Sequence, residues 1–231
     1  MIRKFPDYND VFITPSVLSA DFSCLKKEIF SVEKHSGWIQ LDIMDGHFVP
    51  NLSFGPHIAS CIRNLSELPL DVHLMVEKPF LFVEPFAKAG ADIITCHIEA
   101  ENPLKTIKKI RSLGLKAGLA LNPQTSFYKA EKYLSQIDLL LIMSVNPGFG
   151  GQEFISDSYD KIKEAASYKF KKKLNYYIQV DGGISSDNAV RCALLGANSL
   201  VMGSALFKEK NPKFISKLYG KIKGIKCPQR Y

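Results

Sequence analysis

The chain has 231 residues, 46% hydrophobic and 23% charged, with a formal net charge of +7. That length and apolar content suit one α/β domain with a sizeable core, and no apolar run approaches the ~20 residues of a membrane span. The positive charge falls mainly on Lys161 to Lys173 and Lys208 to Lys226 at helix-like spacing, which reads as solvated helical faces; without an RNP, helix-turn-helix or zinc-finger pattern, neither nucleic acid nor membrane is an expected partner.

Residues 1–12, MIRKFPDYNDVF, carry two Asp and no apolar h-region. They read as a short extension, not a secretory signal, and a cytoplasmic location is expected. From residue 13 to 231 the pattern is that of one catalytic domain. A strand over 13–20 (ITPSVLSA) is followed by a helix from Ser23 to His35, stopped near Gly37. The second strand is 38–45 (WIQLDIMD) and the third 68–76 (LPLDVHLMV), followed by a helix from Pro79 to Ala89 that ends at Gly90. The fourth strand, 92–99 (DIITCHIE), precedes a helix from Pro103 to Leu113 that ends at Gly114. Strands over 116–122, 139–145 and 175–183 come next, then a helix from Ser186 to Leu195 ended by Gly196, then a strand over 199–206. Pro at a first helical turn and Gly just past the last one are the expected punctuation.

The strands recur about every 24 residues, with longer gaps after the second and sixth. Eight such units in one uninterrupted chain predict a single (β/α)₈ TIM barrel. A doubly wound open sheet is the alternative, but no GxGxxG follows the first strand. The five cysteines (Cys24, Cys61, Cys96, Cys192, Cys227) are scattered, with no CxxC, as expected of free thiols in a reducing compartment.

Side chains alternate across a strand, so residues i and i+2 share a face. Gln40, Asp42 and Met44 therefore lie opposite Ile39, Leu41 and Ile43. The same design recurs with Asp71, His73 and Met75, with Thr95, His97 and Glu99, and with Gln179 and Asp181. The apolar face suits packing on outer helices, so the polar face must point into the barrel. Buried charges cost several kcal/mol unless paired or metal-bound, and polar groups converging from four strands toward their C-terminal ends point to a catalytic site. The competing reading is a buried hydrogen-bond network that only fixes register. Asp45 falls on the opposite face from Asp42 and is expected to organise the following turn.

Asp42, His73 and Asp181 offer carboxylate and imidazole ligands for one divalent ion such as Zn, Fe, Mn or Co. A cation there can stabilise an enediolate while two carboxylates act as base and acid. Gly-rich stretches follow the last strands: NPGFGGQ (146–152), DGGIS (181–185) and MGSAL (202–206). Together they predict a phosphate site, and the positive field would steer a phosphorylated small molecule.

These residues resemble the ribulose-phosphate 3-epimerase family. The resemblance runs in order through TPSVLSADF, LDIMDGHFVPNLSFGP, LDVHLMV, HIEA, GLALNP, MSVNPGFGGQ, VDGGI and MGSALF. It implies a cytoplasmic, metal-dependent enzyme of the pentose phosphate pathway, a homo-oligomer that interconverts D-ribulose 5-phosphate and D-xylulose 5-phosphate by inverting C3. On that resemblance Asp42 is the proton acceptor and Asp181 the donor, and both join His73 as metal ligands. Ser16 and His73 contact the substrate. Gly148, Phe149, Gly150, Gly151, Gly182, Gly183, Gly203 and Ser204 hold its phosphate side, and Met44, Met75 and Met143 cap the enediolate. The family carries a metal-binding His two residues before the first Asp, where this chain has Gln40. Three readings stay open: Gln40 ligates through its amide oxygen and favours a harder ion such as Mn or Mg, the ion keeps three protein ligands plus water, or the site is impaired. The other functions that fit are epimerisation of a ketohexose phosphate such as allulose 6-phosphate and sugar-phosphate binding without catalysis.

Overall fold

A computed structural model describes residues 3–208 and 212–226; Cys227 lies outside them. Its strands are β1 (Phe12–Pro15), β2 (Ile39–Met44), β3 (Leu70–Met75), β4 (Ile93–His97), β5 (Lys116–Leu121), β6 (Leu139–Met143), β7 (Tyr177–Asp181) and β8 (Ser199–Met202). From β2 to β8 each pairs in parallel with the next in sequence, and β1 pairs in parallel with β8. Parallel bridges from Ile13 to Ser36 and from Ser16 to Gln40 bring β1 against the start of β2. The sheet thus closes on itself as a (β/α)₈ barrel, and an open doubly wound sheet is excluded.

The crossovers carry α1 (Leu25–Glu33), α2 (Pro56–Arg63), α3 (Val83–Lys88), α4 (Pro103–Ser112), α5 (Ser158–Lys171), α6 (Ala189–Leu194), α7 (Ser204–Phe207) and α8 (Pro212–Ile222). Pro56 and Pro103 start their helices, where a missing N–H costs nothing. The strands are shorter than the apolar runs that predict them, because pairing stops where the neighbouring strand stops. The run 199–206 splits at Gly203 into β8 and α7. The long gap after the second strand holds α2, and a 3₁₀ segment, Phe127–Gln136, occupies the crossover to β6. The lysine-rich stretch forms α5, but Lys161 departs from the solvated-face expectation. It is buried, and its Nζ donates to the carbonyls of Asn122 and Pro123 at 2.9 Å each.

Three layers fill the barrel. At the N-terminal end Phe12, Trp38 and Tyr177 pack edge-to-face, with centroids 4.5 and 4.9 Å apart for the Trp38 pairs. Residues of the N-terminal extension close this end: Phe5 and Tyr8 pack on the cluster, and Tyr177 Oη donates to the Pro6 carbonyl at 2.6 Å. The alternate side chains of the strands, Ile39, Leu41, Ile43, Val72, Leu74, Ile94, Ile178 and Val180 among them, form the outer core against the helices.

The middle layer is polar. Gln179 Nε2 donates to Asp71 at 3.0 Å and to Ser199 Oγ at 3.1 Å. Thr95 Oγ1 donates to Asp71 at 3.2 Å, and Thr14 and Ser199 share a hydroxyl bond of 2.8 Å. The position facing Thr95 must be Gly118, since a Cβ there would lie 2.1 Å from Thr95 Oγ1. Asp71 and Gln179 thus follow the inward alternation but belong to a buried network that holds strands together.

Burial pushes the Asp71 carboxyl from 3.8 up to about 6. A raised carboxylate pKa means that the folded state holds its proton more tightly, so stability falls as pH rises from about 4 to 6. Asp71→Asn is expected to be more stable than the parent at pH 8, by up to about 3 kcal/mol, with the advantage vanishing near pH 4. Thermal unfolding at the two pH values checks this; a less stable variant at pH 8 would refute the assigned cost.

Candidate active site

The C-terminal layer holds the ionisable cluster. Parallel register sets Asp42 of β2 beside His73 of β3, and Asp181 ends β7 across the barrel mouth. One ligand-type atom from each lies within 4.8 Å of the others. His73 is fully buried and Asp42 nearly so. Asp42 Oδ1 faces His73 Nδ1 at 2.9 Å and accepts from Gln40 Nε2 at 2.8 Å, while its Oδ2 accepts from Ser16 Oγ at 2.5 Å. Gln40 Nε2 also donates to Asp181 Oδ2 at 2.6 Å, so one amide bridges both carboxylates.

These contacts separate the two acids. Burial raises the Asp42 pKa, but the hydrogen bond and charge of His73, with Ser16 and Gln40, outweigh it and hold the carboxyl below its ordinary value. Burial, with the negative charge of Asp42, pushes Asp181 up to about 7. His73 is raised: burial lowers it, and the carboxylates around it prevail. Such a split equips one carboxylate as a base and the other as an acid near neutrality.

A cleft opens above the cluster. Ser16, Asp42, Asp181, Met44, Met75 and Met143 line it, as do Gly148, Phe149, Gly150, Gly151, Gly182, Gly183, Gly203 and Ser204. The three methionines are almost wholly buried; Met44 and Met75 pack on Val49 and Phe48. Two glycines are required by space: a Cβ on Gly183 (φ +63°) would lie 2.5 Å from the Phe154 amide nitrogen, and one on Gly182 (φ +119°) would lie 2.4 Å from Val145 Cγ2 and 2.9 Å from its Cβ. Asn51 Nδ2 anchors the Gly-rich loop by donating to the Gly148 carbonyl at 2.7 Å. After DGG the chain makes a turn before α6 begins at Ala189, so these glycines do not abut a helix start directly.

Two of the residues singled out in the sequence do not reach the cleft. His73 and Gln40 lie beneath its floor, fully buried. His73, expected to touch the substrate, is not among the residues that line the cleft. Asp45 turns away and accepts from the amides of His47, Phe48 and Glu77, organising the loop after β2. Lining residues beyond the expected set include Ser19 and Gln152; both lie inside the quoted motifs but carry no chemical signature of their own. Deeper, His73 Nε2 meets His97 Nε2 at 2.8 Å, and His97 Nδ1 meets Glu99 Oε2 at 3.3 Å.

The cluster suits a divalent ion on its own chemistry. Two carboxylates and an imidazole are a mixed oxygen and nitrogen donor set, and the buried Gln40 Oε1 has no hydrogen-bond partner. No helix among the described residues is long and apolar enough to cross a membrane.

A profile of the ribulose-phosphate 3-epimerase family matches residues 12–207. The ribulose-phosphate 3-epimerase of Bacillus subtilis (strain 168) is 47% identical over 219 residues, 93% of this chain and 99% of the relative. The chloroplastic ribulose-5-phosphate-3-epimerase of Arabidopsis thaliana is 44% identical over 227 residues, 96% of this chain and 78% of the relative. Among solved structures, a mutant tryptophan synthase alpha-subunit from Pyrococcus furiosus superposes with a TM-score of 0.67 at 19% identity, over 95% of this chain and 98% of that one; this likeness is one of fold alone. With a profile match across the barrel and a relative 47% identical over 99% of its length, the chain belongs to the ribulose-phosphate 3-epimerase family.

Proposed function

We propose that the protein interconverts D-ribulose 5-phosphate and D-xylulose 5-phosphate by two-carboxylate proton transfer at C3, as a cytoplasmic enzyme of the pentose phosphate pathway. The observation that carries this reading is the pair Asp42 and Asp181, bridged by Gln40 at 2.8 and 2.6 Å and set on the floor of a Gly-rich cleft.

In this reading the ionised Asp42 takes the C3 proton on one face of the sugar. Asp181, the more readily protonated of the two, returns a proton to the other face, and the two exchange roles in the reverse direction. Ser16, donating to Asp42 Oδ2, orients the base. Met44, Met75 and Met143 present a polarisable, water-excluding wall to the planar intermediate. The glycines of the 148–151, 182–183 and 203–204 segments leave backbone N–H groups open to the substrate's phosphate. Asp42, His73 and Asp181 would hold one divalent ion, with Gln40 adding an amide oxygen; when bound, such an ion supplies positive charge for the enediolate.

Asp42→Asn and Asp181→Asn are each expected to lower kcat by about 10³-fold, with unfolding temperatures close to the parent's. Coupled assay of xylulose 5-phosphate formation decides it; near-normal turnover in either variant contradicts the two-carboxylate mechanism.

Gln40→His replaces an amide oxygen by an imidazole, a better partner for zinc-like ions. The variant is expected to bind zinc roughly tenfold more tightly while its affinity for manganese changes little. Competition titration with a chromophoric chelator reads both; equal zinc affinities would place Gln40 outside the ion's reach.

A further inference from the structure

We propose that Glu99 and His97 form a positioning relay that fixes the tautomer and ring orientation of His73, so that its Nδ1 is the nitrogen offered to the cation site. The inference rests on the reading that Asp42, His73 and Asp181 hold a divalent ion.

The relay is ordered from its outer end. A carboxylate only accepts hydrogen bonds, so the His97 nitrogen facing it, Nδ1, carries the proton. A neutral His97 then presents a lone pair at Nε2. The two Nε2 atoms face each other at 2.8 Å, where one must donate and the other accept. His73 Nε2 is therefore the donor; its Nδ1 faces Asp42 and Asp181 at 2.9 and 3.8 Å, and the proton that Nδ1 shares with Asp42 is the one a cation would displace. Both rings are fully buried. They stack on each other at 5.0 Å between centroids, and Phe48 covers His97 at 4.8 Å.

Glu99 is itself anchored. Its Oε1 accepts from the Asn122 amide at 3.0 Å and from Thr125 Oγ1. The buried Lys161 Nζ holds the carbonyls of Asn122 and Pro123 in the same loop. One carboxylate oxygen thus fastens the relay to the loop after β5, and the other sets its polarity. Hydrogen-bonded partners behind a metal-binding imidazole raise its basicity and hold its ring, and their loss costs about 10–100-fold in metal affinity.

Glu99→Gln is the discriminating variant. Its amide oxygen can keep the bonds from Asn122 and Thr125, which leaves NH₂ toward His97. A donor there reverses the relay: His97 accepts at Nδ1, donates from Nε2, and forces the His73 proton onto Nδ1. Zinc affinity, read by competition with a chromophoric chelator, is expected to fall about 10–100-fold. Long-range ¹H–¹⁵N NMR of the zinc-loaded parent is expected to show His97 protonated on Nδ1. As a second pair, His97→Gln can accept from His73 and donate to Glu99, so it should keep parent-like zinc affinity, whereas His97→Phe should lose it. Affinity of Glu99→Gln within twofold of the parent, equal losses in the two His97 variants, or a proton on His97 Nε2 in the parent would each overturn the relay. A parent that binds no zinc, manganese or cobalt would instead overturn the metal reading beneath it.

Discussion

Two carboxylates and an imidazole sit within 4.8 Å of one another inside the barrel mouth, and the surrounding structure is organised by the need to hold them there. Isolated charges in such a place cost several kcal/mol each. Here they are compensated locally: Gln40 bridges both acids, Ser16 binds the far oxygen of Asp42, and His73 binds the near one. The compensation is unequal. It keeps Asp42 low and leaves Asp181 near neutrality, and that inequality is the chemical resource of the site.

The layers below serve the same end. An aromatic plug built from Phe12, Trp38 and Tyr177, covered by Phe5 and Tyr8, closes the barrel floor. Asp71, Gln179, Thr95, Ser199 and Thr14 then tie five strands together beneath the cluster. The tryptophan synthase alpha-subunit shares the barrel at 19% identity, so the fold alone does not specify the chemistry.

Much of this is legible in the sequence because strand periodicity is two. Gln40, Asp42 and Met44 against Ile39, Leu41 and Ile43 assigns each residue to a face without knowledge of the partners. Depth along the barrel axis is not written in that alternation. Asp71 and Asp42 occupy similar-looking strands, yet Asp71 lies a layer lower, and only closure and register show that it belongs to a structural network. Lys161 looks like one more surface lysine in a basic helix; its burial depends on a loop forty residues away in the chain, whose carbonyls it binds. His97 and Glu99 stand out as inward polar residues, but the contact of His97 with His73 requires two neighbouring strands in register. The helices are least legible: the crossover after β5 forms 3₁₀ turns over Phe127–Gln136, and the predicted helix starts at Ser23, Pro79 and Ser186 lie ahead of the α-helices proper. The last case matters for the site, since Gly182 and Gly183 offer their backbone from a turn.

The central claim is that two different carboxylates serve the two faces of C3. Its most direct test is the fate of the C3 hydrogen when ribulose 5-phosphate is converted in deuterium oxide under initial-rate conditions. The account requires nearly every new xylulose 5-phosphate molecule to carry solvent deuterium at C3, while ribulose 5-phosphate not yet converted stays protonated there. Xylulose 5-phosphate that retained the original hydrogen at C3 would show one group carrying it across, and would contradict the account.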